Sequence, residues 1–129
     1  MTRATAHIGR QAYATQIQTG GRILIADEPP ENGGGNAGLA PYNLLLSALS
    51  ACTTITLRMY AERKQWPMET ANVALHFHRD EEGNEYIDRT VSFTGALDKE
   101  QIKRLLDVCE RTPVTKTLKQ GLTITTSLA

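Results

Sequence analysis

From Pro41 to Lys64 apolar residues recur in steps of three and four, at Leu44, Leu45, Ala48, Leu49, Cys52, Ile55 and Met59, the period of a helix. Leu46 and Ala51 fill much of the remaining circumference, so the first turns are apolar nearly all round, the pattern of a helix buried on every side. Pro41 suits the first turn, where a missing N–H costs nothing. Arg58, Arg63 and Lys64 set positive charge towards the C-terminal end, favourable against the helix dipole, and Pro67 ends the run. Ser47, Ser50, Thr53, Thr54 and Thr56 interrupt it before Arg58, and the stretch reads as too short and polar to span a bilayer. A core helix is expected, with no membrane partner.

The flanking segments alternate instead. Residues 4–9 and 11–18 have strand character, Tyr13, Thr15 and Ile17 alternating with small or polar neighbours. Thr19-Gly20-Gly21 reads as a turn and Arg22–Ala26 as the returning strand of a hairpin. Pro29 and Pro30 close that strand, and residues 31–38 form a flexible loop by composition. Gly33, Gly35 and Gly38 match G-x-G-x-x-G, but two prolines separate them from the strand, and Glu62, the acid at the right distance, falls inside the helix. A dinucleotide site is therefore rejected.

Beyond the helix, Val73, Leu75 and Phe77 alternate with Ala74, His76 and His78 in a half-buried strand. Glu81–Asn84 is a turn, and Tyr86–Thr94 a second strand with Ile87, Val91 and Phe93 inward. Asp98-Lys-Glu-Gln101 resembles a capping box, opening a helix with Ile102, Leu105, Leu106 and Cys109 on one stripe. Thr112 is a good N-cap and Pro113 a good first residue for a short helix to about Lys119. Gly121 ends it, and Leu122–Leu128 reads as a closing strand. Strands held in hairpins rather than alternating with helices give an α+β class. One such layer cannot cover the central helix all round, so an obligate homodimer is expected.

Composition adds limits. The 129 residues make one domain, residues 1–129, and 14 basic against 14 acidic side chains give no case for nucleic acid. The N-terminal stretch has no apolar signal core, which places the protein in the cytoplasm; the two cysteines there are free or cycling thiols rather than a structural bridge. His76 and His78 share one strand face, but no third or fourth ligand is adjacent in sequence, so the reading is solvent-facing histidines, with neither metal nor cofactor.

Cys52 is the one residue whose position invites chemistry, although a cysteine inside a central helix is commonly inert packing. The combination Pro41-Tyr42-Asn43, Ala48-Leu-Ser-Ala-Cys52-Thr, Leu57-Arg-Met-Tyr60, Arg63-Lys64 and Trp66-Pro67 closely resembles the OsmC/Ohr family of osmotically inducible and organic-hydroperoxide-resistance proteins. Ala26-Asp-Glu-Pro29 and Thr112-Pro-Val-Thr-Lys-Thr-Leu118 resemble its flanking segments. The resemblance implies an intertwined homodimer with long central helices packed between β-sheets. It also implies a thiol-dependent peroxidase acting on organic hydroperoxides in the oxidative-stress response, with Cys52 as the peroxidatic residue and an external thiol as reductant. The chemistry suits the residue: a thiolate attacks a peroxide oxygen and becomes a sulfenic acid, which a second thiol condenses.

Several family positions differ. Thr112 stands where the resemblance places a resolving cysteine, Thr115 where it places a histidine, and Tyr42 and Asn43 where it places a glutamate. Cys52 lies more than two turns inside its own helix, beyond reach of that helix's N-terminal dipole, so a thiolate there needs positive charge from elsewhere. Arg58 falls on a different face, and Arg22, after Gly20-Gly21, is the best candidate cation. Cys109 is either a relocated resolving thiol, one turn before Thr112, or the last apolar residue of its stripe. The rival function is a non-catalytic relative that binds a lipid-like or acyl molecule in the dimer-interface pocket.

Overall fold

The computed structural model describes residues 1–129. Its elements run β1 (Ala4–Ile8), β2 (Thr15–Thr19), β3 (Arg22–Ala26), a single 3-10 turn at Pro30–Asn32, α1 (Pro41–Lys64), β4 (Met68–Arg79), β5 (Glu85–Gly95), α2 (Lys99–Cys109) and α3 (Pro113–Gln120). The class is α+β, as the patterning requires. Two compact units divide the chain, Met1–Leu45 and Leu46–Ala129.

The first unit is an antiparallel sheet in the order β1-β2-β3. Gly20 and Gly21 both take positive φ, 57° and 71°; a two-residue turn of that kind matches the twist of its strands, and it pairs Thr19 with Arg22. The glycine-rich segment that follows, expected as a flexible loop, is hydrogen-bonded around Asp27. The Asp27 carboxylate accepts the main-chain N–H groups of Tyr13 at 3.0 Å, Glu28 at 2.7 Å and Ala37 at 3.0 Å. These donors, Ala37 foremost, hold its pKa below the usual carboxylate value. Main-chain bonds from Asn36 to Glu28 and from Asp27 to Leu39 close the loop on both sides. Only glycine fits where it passes the strand, since a Cβ at Gly34 or Gly38 would lie 1.9 Å from the carbonyl oxygen of Glu28 or Ile25.

In the second unit β4 and β5 form a long antiparallel hairpin with Val73 opposite Val91 and Phe77 opposite Ile87. Its inner face packs with Leu57 and Ala61 of α1, Met68, and Leu105, Val108 and Cys109 of α2, with Trp66, Val91 and Phe93 at the margin. The capping box that opens α2 is complete, Asp98 accepting from the Gln101 N–H and the Gln101 side chain accepting from Asp98 N–H. Arg58 donates to the carbonyls of Met68 and Glu69 at 2.9 and 2.7 Å, tying α1 to the start of β4.

Further expectations need correction. Leu122–Leu128 forms no strand; Leu122, Ile124 and Leu128 are exposed. On α2 the buried stripe is Leu105, Val108 and Cys109, while Leu106 is exposed, because the hairpin covers a face rotated from the one read by periodicity. Within the single chain α1 is covered on one face only, in line with the expectation that one layer cannot cover it all round. Its buried residues are Leu49, Thr53, Leu57 and Ala61, one face at four-residue spacing, while Ile55 and Met59 are 54% and 59% exposed. By length and composition α1 is also apolar enough to cross a membrane, contrary to the sequence reading; its Leu57–Ala61 face is already taken up by the protein's own core.

Candidate functional site

Cys52 sits on α1 beside the buried Thr53 and is itself half-buried. Its sulfur accepts a hydrogen bond from the main-chain N–H of Val114 at 3.4 Å. Val114 is in the first turn of α3, after the N-cap Thr112 and Pro113. The N–H groups of a helix's first turn have no partner within the helix, and they carry its positive dipole end. Thr112 does not satisfy them, since its side chain makes no capping bond. A donor from α3 is thus left for the sulfur. The Cys52 sulfur thus faces the start of another helix, a neighbour that reading α1 by itself could not supply.

Beneath this contact lies a polar knot around Arg89. Its guanidinium donates through Nη1 to Thr53 Oγ1 at 3.0 Å and Thr115 Oγ1 at 2.9 Å, and through Nη2 to the Cys109 carbonyl at 2.7 Å. The Thr112 and Thr115 hydroxyls share a hydrogen bond of 2.7 Å. Thr53 also donates to the Leu49 carbonyl at 2.8 Å, so its hydroxyl is used in both senses. Thr53, Thr112 and Thr115 are all buried, and each has a partner, as burial of a hydroxyl demands. Arg89 in effect caps α2 at its negative end and ties that end to α1 and to the first turn of α3.

Cys109 faces the core and is 3% exposed. Burial pushes its thiol pKa up, and the nearby Arg89 charge only partly opposes this. Both cysteines are free thiols. Arg22 stands exposed on β3, in the first unit, where it pairs with Thr19.

Arg89 and Thr53 were missed in the sequence. A signal for Arg89 existed: it lies two residues from both Ile87 and Val91 and so shares their inward face. Thr53 likewise continues the four-residue spacing of Leu49, Leu57 and Ala61.

The family model for OsmC-like protein matches residues 33–127. The chain belongs to this family. Solved structures agree on the fold. An OsmC-like protein from Mycoplasma pneumoniae superposes with a TM-score of 0.77 at 20% identity, over 92% of this chain and 87% of its own. An organic hydroperoxide resistance protein OsmC from Legionella pneumophila gives 0.68 at 21% identity, over 92% and 89%. The organic hydroperoxide resistance protein OhrB of Bacillus subtilis gives 0.63 at 22%, over 92% and 90%. Among curated proteins, none matches this sequence. The family match takes in Cys52, Arg89, Cys109, Thr112 and Thr115, and starts after Arg22.

Proposed function

We propose that this OsmC-like protein is a thiol peroxidase that reduces organic hydroperoxides with Cys52 as its one redox-active cysteine. The observation that carries the reading is the Val114 N–H at 3.4 Å from the Cys52 sulfur, at the positive end of α3. Such a donor gives the sulfur a polar neighbour at a helix N-terminus, the kind of surrounding in which reactive cysteines are found. In the reaction the Cys52 thiolate attacks the terminal peroxide oxygen. An S–O bond forms as the O–O bond breaks, the alkoxide leaves and takes a proton to become the alcohol, and sulfur is oxidised to sulfenic acid. An external thiol then condenses with the sulfenic acid, releasing water, and a second thiol reduces the mixed disulfide.

Arg22 is the residue we assign to the peroxide and the developing charge, since the Arg89 guanidinium is already shared among three acceptors. The working form is a homodimer in the cytoplasm; the exposed Ile55 and Met59 of α1 support a second copy covering that face. No cofactor enters the scheme.

The test is consumption of cumene hydroperoxide with dithiothreitol as reductant. Wild-type turnover, lost in Cys52→Ser with the fold intact by circular dichroism, is the expected result; undiminished turnover in Cys52→Ser overturns it. A second reading, a non-catalytic protein binding a lipid-like or acyl molecule, is favoured by one observation. The Thr112–Thr115 hydroxyl pair, bound to Arg89 through Thr115, occupies the positions where the family resemblance places a thiol and an imidazole. That reading gains if the wild type consumes no peroxide yet retains a fatty acid with one-to-one stoichiometry.

A further inference from the structure

The outer face of the β4–β5 hairpin carries ligand chemistry that a thiol peroxidase does not use. His76 and His78 stand two residues apart on β4, and Asp88 of β5 lies directly opposite His76 in the register. The pairing thus supplies the third ligand that sequence adjacency lacked. The ligand atoms of the three side chains lie within 4.8 Å of one another. His78 Nε2 is 2.8 Å from Asp88 Oδ2, yet it is shielded from solvent and makes no hydrogen bond. This close nitrogen–oxygen pair, an ion pair when the imidazole is protonated, is also a spacing that a bound cation can bridge.

The ring of His78 is also held in place. His76 and His78 stack with centroids 5.2 Å apart, and His78 stacks on Tyr86 at 5.3 Å. Tyr86 is anchored in turn by its hydroxyl, which donates to Asp80 Oδ2 at 3.1 Å. Ring orientation fixed by neighbours is what a histidine ligand needs before an ion arrives.

We infer that His76, His78 and Asp88 form a surface site for a first-row divalent transition cation, with two imidazoles and one carboxylate bound and water in the remaining positions. Imidazole with carboxylate is a donor set for Zn²⁺, Ni²⁺ or Cu²⁺ rather than for Ca²⁺ or Mg²⁺. With metal–ligand bonds of about 2.0–2.1 Å, the observed nitrogen–oxygen edge subtends about 85° at the ion, which favours octahedral or tetragonal geometry over tetrahedral. Rotation of the exposed His76 side chain brings its nitrogen onto the shell.

The experiment titrates the reduced full-length protein with Ni²⁺ by calorimetry and follows the histidine ring resonances by NMR. One Ni²⁺ per chain is expected, with paramagnetic broadening of the His76 and His78 rings. His78→Gln and the exposed, conservative Asp88→Asn should each weaken binding at least about tenfold, while His7→Gln and Cys52→Ser leave it unchanged. No binding by the wild type, binding that survives both His78→Gln and Asp88→Asn, or binding lost in Cys52→Ser overturns the inference. None of these outcomes depends on peroxidase activity, so failure here is distinct from failure of the proposed function.

Discussion

The main-chain N–H of Val114 points at the sulfur of Cys52, 3.4 Å away, although the two residues are 62 positions apart in the chain. The contact turns the start of α3 into the environment of a cysteine in the middle of α1. It also separates the two thiols chemically: Cys52 meets a donor, whereas Cys109 is buried among Leu57, Leu105 and Val108.

That separation decides how the oxidised sulfur is resolved. Cys109 is packed in the core with Leu105 and Val108, all buried, so freeing its sulfur by unwinding the last turn of α2 would expose those side chains. Each such side chain is worth roughly 1.5–3 kcal/mol, so a disulfide form would be strained and little populated. One equivalent of an organic hydroperoxide should therefore yield a Cys52 sulfenic acid that dimedone traps. Mass spectrometry finding a quantitative Cys52–Cys109 disulfide and no adduct would make Cys109 the resolving residue.

Arg89 should matter more for stability than a partly exposed strand arginine ordinarily does. Arg89→Met keeps much of the side-chain volume but strips partners from Thr53, Thr115 and the Cys109 carbonyl. Charge-assisted hydrogen bonds contribute about 1.5–3 kcal/mol each, and the buried hydroxyls can re-pair only in part. A loss of about 2–4 kcal/mol in urea unfolding is expected. A loss under about 0.5 kcal/mol, the ordinary effect of a surface substitution, would show that the knot is dispensable.

Asp27 predicts an acid-sensitive loop. Its folded pKa is lowered by the N–H groups of Ala37, Glu28 and Tyr13, so its contribution is complete above the unfolded value, about 3.9. The contribution is lost as pH falls through the lower folded value. Thermal midpoints measured from pH 6 downwards should fall less steeply below about pH 4 in Asp27→Asn than in the wild type, from a lower starting point. Equal slopes would exclude Asp27 as the titrating group. Gly38→Ala should also be destabilising by more than about 2 kcal/mol, given the Ile25 carbonyl in its path, whereas Gly9→Ala, with nothing within 4 Å, should be neutral.

The uncovered face of α1 predicts association. Ile55→Glu with Met59→Glu places two charges where apolar side chains are exposed in the single chain. If a second copy covers them, sedimentation should show a wild-type dimer and a dissociated or unfolded double variant. A wild type that is a folded monomer at micromolar concentration would remove the homodimer from the functional proposal.

Local signals were enough for most of the elements. The Pro41–Lys64 helix, the Gly20-Gly21 hairpin turn, the Asp98–Gln101 capping box and the Thr112-Pro113 start of α3 were legible because each depends on residues within a few positions of one another. The family resemblance was carried by a contiguous run around Cys52, so it too could be read directly. What the sequence could not decide was which residues meet across elements. The Leu122–Leu128 run alternates like a strand but has no partner within the chain, and a strand needs a neighbour to hold its backbone hydrogen bonds. Arg89 reads as an ordinary polar strand residue until three separate elements bring acceptors to it, and Asp88 becomes a third ligand for His76 and His78 only through the register of β4 with β5. Periodicity records which face a residue occupies; only the packed structure sets what stands opposite that face, because charge and hydrogen bonding act over a few ångströms of space regardless of distance along the chain.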